Sequence, residues 1–115
     1  MSFTHVRMTL EWLVPIGQTR SITMALHSLA SDVRSTAGCV SCSVSTEMAN
    51  RGVVRYVEEW ETEEDLRLRV SADAFASLIA LLEEAAQPPR VEFALTRGTR
   101  GFDFAEEVRG SRLHD

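Results

Sequence analysis

Hydrophobic and polar residues alternate along the first part of the chain and then change their period. In HVRMTLEWLV, residues 5–14, every second residue is apolar, a pattern typical of a strand with one buried face. From Gln18 to Ala37 the apolar residues recur every three or four positions, which predicts a helix with a single apolar stripe. Gly38 follows as a stop signal.

Two segments rich in β-branched and aromatic residues come next, CVSCSVSTE at 39–47 and VVRYVEEW at 53–60. The residues between them include Asn50 and Gly52, which favour a tight turn. Together the two segments and the turn predict a β-hairpin.

The second half of the chain repeats the change from helix to strand. Thr62 followed by three acidic residues predicts a capped helix start, where carboxylates face the positive end of the helix dipole. The helical pattern continues to Pro88 and Pro89, either as one helix or as a short helix followed by a longer one. RVEFALTR, residues 90–97, alternates again and predicts a fourth strand.

The predicted order β-α-β-β-α-β is the ferredoxin-like α+β arrangement, a four-stranded antiparallel sheet of order 4-1-3-2 with both helices on one face. We assign residues 1–97 to this domain and residues 98–115 to a C-terminal tail. The other sheet face combines charges with valines, so we expect a homodimer through the sheet faces. The charges expected there are Arg7, Glu11, Arg55, Glu59 and Glu92.

Composition limits the partners and the location. The chain of 115 residues carries 17 acidic and 12 basic side chains, a net charge of −5, which argues against nucleic acid as a partner. No segment approaches the roughly 20 apolar residues that a membrane-spanning helix needs. The N-terminus lacks the features of a signal peptide, so we expect a cytoplasmic protein with reduced cysteines.

The only cysteines, Cys39 and Cys42, form a C-x-x-C motif. Residues three apart in a strand point to opposite faces, so the two thiols are expected to diverge. Redox pairs of this spacing lie at a helix N-terminus, and a zinc site needs four ligands, which this sequence does not offer at ligand spacing. We therefore interpret both cysteines as small packing residues.

Six acidic residues lie between Glu58 and Asp65. By number alone they resemble a magnesium site, but four of them fall at the predicted helix N-terminus, where the dipole favours anions. The sequence therefore predicts neither a metal nor a cofactor.

The aromatic residues are the strongest candidates for a ligand site. In the order 4-1-3-2 the first and third strands are antiparallel neighbours, so Trp60 is expected beside Val6 and Tyr56 beside Leu10. Two interpretations stay open: these side chains form the core, or they border a cavity for a planar ligand. The residues considered for the cavity wall are Met8, Trp12, Tyr56, Trp60 and Phe75.

Residues 54–84 resemble the antibiotic biosynthesis monooxygenase domain. The sequence there is VRYVEEWETEEDLRLRVSADAFASLIALLEE, and the resemblance lies in the strand ending in Glu-Glu-Trp, the capped acidic helix start and the helix that contains Phe-x-x-Leu. AGCVSCSVSTE is similar to the second strand of that family, and the resemblance covers residues 5–97. It implies a dimeric α+β barrel in which two sheets pack face to face, with the C-terminal tail contacting the partner.

The resemblance also implies a range of activities. The family includes cofactor-independent oxygenases of quinols and aromatic polyketides, haem-degrading enzymes, an isomerase and members without known activity. Trp60 matches the family tryptophan that borders the active cavity. Many members have histidine where this chain has Arg69 and Ala74, which weakens the inference to haem degradation or quinol oxidation.

Two hypotheses follow. The first is a cofactor-free monooxygenase of an electron-rich phenol or hydroquinone, with Trp60 and Arg69 as catalytic residues and Arg69 stabilising the phenolate. The second is a non-catalytic dimer, a small-ligand binder or an accessory protein, whose core has filled the ancestral cavity. In the first hypothesis the substrate contacts Met8, Trp12, Tyr56 and Phe75.

Overall fold

The computed structural model describes residues 5–47, 52–85 and 87–114. The strands are β1 (Val6–Leu13), β2 (Cys39–Glu47), β3 (Val53–Trp60), β4 (Arg90–Leu95) and β5 (Gly98–Arg100). The helices are α1 (Thr19–Arg34), α2 (Glu63–Ser71), α3 (Phe75–Glu83) and α4 (Asp103–His114), and a 3-10 turn at Ile16–Gln18 precedes α1. The predicted turn residue Asn50 lies outside the described residues. In the described ranges no helix is long and apolar enough to cross a membrane.

The strands form one antiparallel sheet of order β2-β3-β1-β4-β5. The first four strands have the expected order, β2-β3-β1-β4. The predicted number of four strands is wrong, because a fifth strand, β5, pairs with the end of β4. The chain reverses after Leu95, and Gly98, which pairs with it, has a φ of 132° that glycine adopts readily. The segment predicted as one long strand at 90–97 is therefore a strand and a turn.

The core lies between the sheet and the helices, as the alternation in the sequence predicts. Val6 lies opposite Trp60 and Leu10 opposite Tyr56, which confirms the expected register of β1 and β3. The four alternate residues of β1 that face the helices are at most 3% exposed: Val6, Met8, Leu10 and Trp12.

The other sheet face carries the expected charges in pairs of opposite sign. Arg7 lies opposite Glu59, and Glu11 lies opposite Arg55. Such cross-strand pairs stabilise a sheet modestly. Leu13, which follows the same alternation in β1, is 47% exposed.

Residues 98–114 belong to the same fold as the rest of the chain. Phe104 is fully buried, and its ring centroid lies 4.8 Å from that of Phe93 in β4. Arg109 donates hydrogen bonds to the carbonyls of Val70 and Ala72 at 2.8 and 3.1 Å. α4 therefore packs against its own protomer, while contact of this segment with a dimer partner stays a prediction.

The start of α2 is fixed by the predicted cap. Thr62 Oγ1 accepts a hydrogen bond from the Asp65 amide at 3.1 Å and donates to the Asp65 carboxylate at 2.9 Å. Gly38, with a φ of 88°, lies against this carboxylate, and an added Cβ would overlap it. The Gly38 carbonyl also accepts a hydrogen bond from the Glu61 amide at 2.9 Å. These two contacts of Gly38 together fix the position at which α2 begins, beside the end of β3.

Candidate functional site

A buried carboxylate near the end of β3 organises most of the predicted site residues. Glu58 has no exposed surface and lies on the helix-covered face with Tyr56 and Trp60, since alternate strand residues share a face. The Tyr56 hydroxyl donates to Glu58 Oε2 at 2.6 Å, and Trp60 Nε1 donates to Glu58 Oε1 at 3.0 Å. Three successive side chains on one face of the strand are therefore joined.

Arg69 reaches the same carboxylate from α2. Its Nε lies 3.2 Å from both Glu58 oxygens, and its Nη2 lies 3.0 Å from Oε2. The guanidinium also lies over the Phe75 ring, 5.2 Å from the ring centroid, at a distance typical of a cation–π contact. We call Tyr56, Glu58, Trp60 and Arg69 the Glu58 cluster.

The environment of the cluster determines its protonation. Burial, followed by the Glu58 charge, raises the pKa of Tyr56, so the phenol stays neutral and donates. Burial alone would lower the pKa of Arg69, but the Glu58 carboxylate outweighs burial and raises it. The cluster is therefore a buried carboxylate–guanidinium pair with a phenol and an indole as further donors.

Most residues predicted for the site meet at this carboxylate. Tyr56, Trp60 and Arg69 are bonded to it, Phe75 supports the guanidinium, and Met8 lies opposite Glu58 across the β1–β3 ladder. Aromatic spacing and strand pairing are thus enough to bring these positions together.

Trp12 is the predicted site residue that lies apart. It pairs with Val54, whereas Trp60 pairs with Val6 at the other end of β1. About 20 Å of strand therefore separates the two tryptophans. The Trp12 side chain is 3% exposed, and within the described ranges its Nε1 has no hydrogen-bond partner. It belongs to the core at the far end of the sheet and does not join the Glu58 cluster.

Glu58 is a site residue that the sequence does not single out, because it begins the acidic run that precedes α2. The alternation of the strand could have placed Glu58 in the core, since Tyr56, Glu58 and Trp60 are alternate residues and share one face. A carboxylate between two core aromatics must find donors, because an unpaired buried charge is very unfavourable.

The prediction that the two cysteine thiols diverge is wrong. The pairing of β2 with β3 shifts by one residue between Cys39 and Ser41, so Cys39 lies opposite Trp60 and Cys42 opposite Glu58. This irregularity inserts one extra residue into β2, and both cysteines pack against the core. Burial is the main cause that raises the pKa of Cys39, and it raises the pKa of Cys42 to about 11, so neither thiol is activated.

In the described part of the chain no group of three His, Cys, Asp or Glu side chains is placed to hold a metal ion.

The cluster is closed on its strand side. Met8, Tyr56, Glu58 and Trp60 have no accessible surface, so no space the size of a water molecule adjoins them. Arg69 retains 7% of its surface, the largest exposed fraction in the cluster. A ligand can therefore approach the cluster without rearrangement only through the guanidinium.

A cleft of about 270 Å³, which we call the α3–β4 cleft, opens at the edge of the helix-covered side. Val91 in its wall lies opposite Leu10, and Leu10 lies opposite Tyr56. These three residues form one row across three strands, so Leu10 stands between the cleft and the Glu58 cluster. The cleft is lined by Ile79, Leu82, Glu83, Pro89, Val91 and Phe102.

The fold and the cluster define a ferredoxin-like α+β protein with a polar centre enclosed between sheet and helices. The sequence profile of the antibiotic biosynthesis monooxygenase family matches residues 6–81, more than half of the chain. The chain therefore belongs to this family. Among curated proteins, none matches the sequence.

Solved structures share the fold at low identity. A conserved protein from Methanosarcina mazei Go1 is 21% identical with a TM-score of 0.71, over 79% of this chain and 91% of that one. A conserved protein of unknown function from Bacteroides thetaiotaomicron is 18% identical with a TM-score of 0.70, over 80% and 97%. A protein from Caulobacter crescentus, named as a proposed antibiotic biosynthesis monooxygenase, is 18% identical with a TM-score of 0.68, over 78% and 87%. At such identities the likeness concerns the fold alone.

Proposed function

We propose that the protein is a cofactor-independent monooxygenase that oxidises an electron-rich phenol or hydroquinone with dioxygen. The buried Glu58 cluster carries this proposal. Burying an ion pair adds little stability, because the desolvation of both charges offsets their attraction. A core selected for stability alone would hold apolar residues here, whereas buried ionisable groups concentrate at functional sites.

In this proposal Arg69 binds the phenolate oxygen. A guanidinium has five N–H donors, of which those on Nε and Nη2 contact Glu58. Glu58 fixes the plane of the guanidinium from one side, and the Phe75 ring supports it from another. A positive group at the phenol oxygen lowers the pKa of the phenol and so favours the electron-rich anion.

The substrate anion supplies the electrons. It transfers one electron to dioxygen, the two radicals combine at a ring carbon that carries hydrogen, and the hydroperoxide loses water. The phenolic proton released when the anion forms returns to the peroxide, so one O–H proton, one ring C–H and one O₂ become a ring C=O group and one H₂O, and the ring leaves as a quinone. The chain binds and orients the ring and excludes water. The ring enters from the α3–β4 cleft once the Leu10 side chain swings aside.

The proposal is tested by oxygen uptake with a panel of substituted hydroquinones and naphthols, corrected for autoxidation. The double variant Glu58→Gln/Arg69→Met removes both charges together and is expected to lower kcat/KM by about 100-fold or more, as for loss of an oxyanion-stabilising donor. Arg20→Met, an exposed change on α1, serves as the matched control with unchanged turnover. Equal turnover in the double variant and the control would contradict the proposal.

A second candidate is the non-catalytic dimer, which the absence of accessible surface at Trp60 and Tyr56 favours. In that case the Glu58 cluster only joins α2 to β3. No substrate would then be consumed above autoxidation, and no compound of the panel would quench the fluorescence of Trp60. Fluorescence titration of a Trp12→Phe variant isolates the Trp60 signal and separates the two candidates.

We further propose that the protein forms a homodimer through the open sheet face. Val57, half-buried in the isolated protomer, lies on the same alternation as Arg55 and Glu59. Val57→Glu places an uncompensated charge on this face and is expected to give monomers in sedimentation at micromolar concentration. Met24→Glu, a change at a residue 61% exposed on α1, is the control that should leave the assembly unaltered. A monomeric parent protein would refute the proposed assembly.

A further inference from the structure

We propose a second ligand site, for a doubly charged oxyanion such as a phosphate or sulfate group, in a pocket between α2 and the β4–β5 hairpin. The pocket measures about 150 Å³ and is lined by three arginines, although the protein carries a net charge of −5. We call it the arginine pocket. It is lined by Glu63, Arg67, Leu95, Arg97, Gly98, Thr99 and Arg100.

Two of the three guanidinium groups are held in place before any ligand arrives. Arg67 pairs with Glu63 at 3.0 Å, and Arg100 pairs with Asp103 at 2.6 Å. Both also lie over the buried Phe104 ring, at 5.1 and 5.7 Å from its centroid. Guanidinium groups fixed by stacking and ion pairs lose less conformational entropy when they bind an anion.

Donors remain available for that anion. Arg67 contacts Glu63 through Nε, and Arg100 contacts Asp103 through Nε and Nη2, which leaves terminal N–H groups on both. Within the described ranges Arg97 has no ion-pair partner, and Thr99 adds a hydroxyl donor. Glu63 and Asp103 already neutralise Arg67 and Arg100, and Glu107 lies 3.7 Å from Arg100 Nη2, so among the described residues Arg97 is the cation of the pocket without an ion pair. A tetrahedral oxyanion bound to Arg97 can also accept the remaining terminal N–H groups of the other two arginines. The Glu63 carboxylate also lines the pocket, which disfavours anions that cannot bridge several arginines.

Isothermal titration calorimetry at low ionic strength tests the site with inorganic phosphate, sulfate, phenyl phosphate and acetate. Phosphate and sulfate are expected to bind with 1:1 stoichiometry per chain, at least about tenfold more tightly than acetate, in line with charge-assisted hydrogen bonds. Phenyl phosphate binding as tightly as phosphate would indicate an esterified ligand, and weaker binding would indicate the free ion.

Arg97→Gln is expected to weaken phosphate binding by about tenfold. Arg20→Gln removes the same charge from α1, which packs on β2 at the opposite edge of the sheet, and should leave binding within twofold. Equal effects of the two substitutions, or acetate binding as tightly as phosphate, would show general electrostatic attraction and overturn the site. The outcome does not depend on the oxygenase proposal, because the arginine pocket shares no residue with the Glu58 cluster.

Discussion

Arg69→Met is expected to destabilise the protein by about 3–5 kcal/mol, the range for removing one partner of a buried ion pair. The side chain that remains, Glu58, has no exposed surface and would be buried without its charged partner. The hydrogen-bond donors of Tyr56 and Trp60 cannot replace the Arg69 guanidinium, since they carry no charge. Urea unfolding at a fixed protein concentration measures the loss, because the stability of any chain that assembles depends on its concentration.

The Glu58→Gln/Arg69→Met double variant separates the ion pair from simple packing. The amide that replaces the Glu58 carboxylate retains an oxygen that can accept from Tyr56 or Trp60, and the methionine retains apolar bulk against Phe75. We therefore expect the double variant to recover most of the stability that the single variant loses. A double variant as unstable as Arg69→Met would mean that packing by the guanidinium stem, rather than its charge, holds α2 on β3.

The backbone arrangement of this chain could be predicted because one face of each main strand is buried. A slip of one residue would move Val6, Leu10 and Tyr56 to the open face, so the alternation fixes the β1–β3 register. The extra residue in β2 has no such signal, since Val40 and Ser41 tolerate either face. β5 has only three residues, Gly98–Arg100, too few to show a period.

The candidate site was predictable where it consists of aromatic residues and not where it consists of charges. Trp60 and Tyr56 stand out by composition, and strand pairing brings Met8 to them. Glu58 could be assigned to the core only by applying the strand period to a residue type that is rarely buried. The partner of Glu58 lies eleven residues further along, on a separate helix, and local patterns carry no information about that contact.

Phe104→Ala is expected to cost about 3–5 kcal/mol, the range for truncating a fully buried phenylalanine. The ring packs on Phe93 in β4, and the guanidinium groups of Arg67 and Arg100 both lie over it. Truncation leaves a cavity under α4 and removes both cation–π contacts. Leu68→Ala, at a residue 64% exposed on α2, is the matched control and should stay within about 0.5 kcal/mol of the parent.

The same substitution separates two roles of the C-terminal segment. If α4 stabilises its own protomer, Phe104→Ala destabilises the Val57→Glu variant, which is expected to be monomeric, as much as it destabilises the proposed dimer. If the segment chiefly holds the partner, the loss disappears in the monomer, because the surface that it covers is no longer present. The burial of Phe104 within one protomer leads us to expect an equal loss in both backgrounds. The segment would then be part of the folding unit, and any contact with a partner would come from the outer surface of α4.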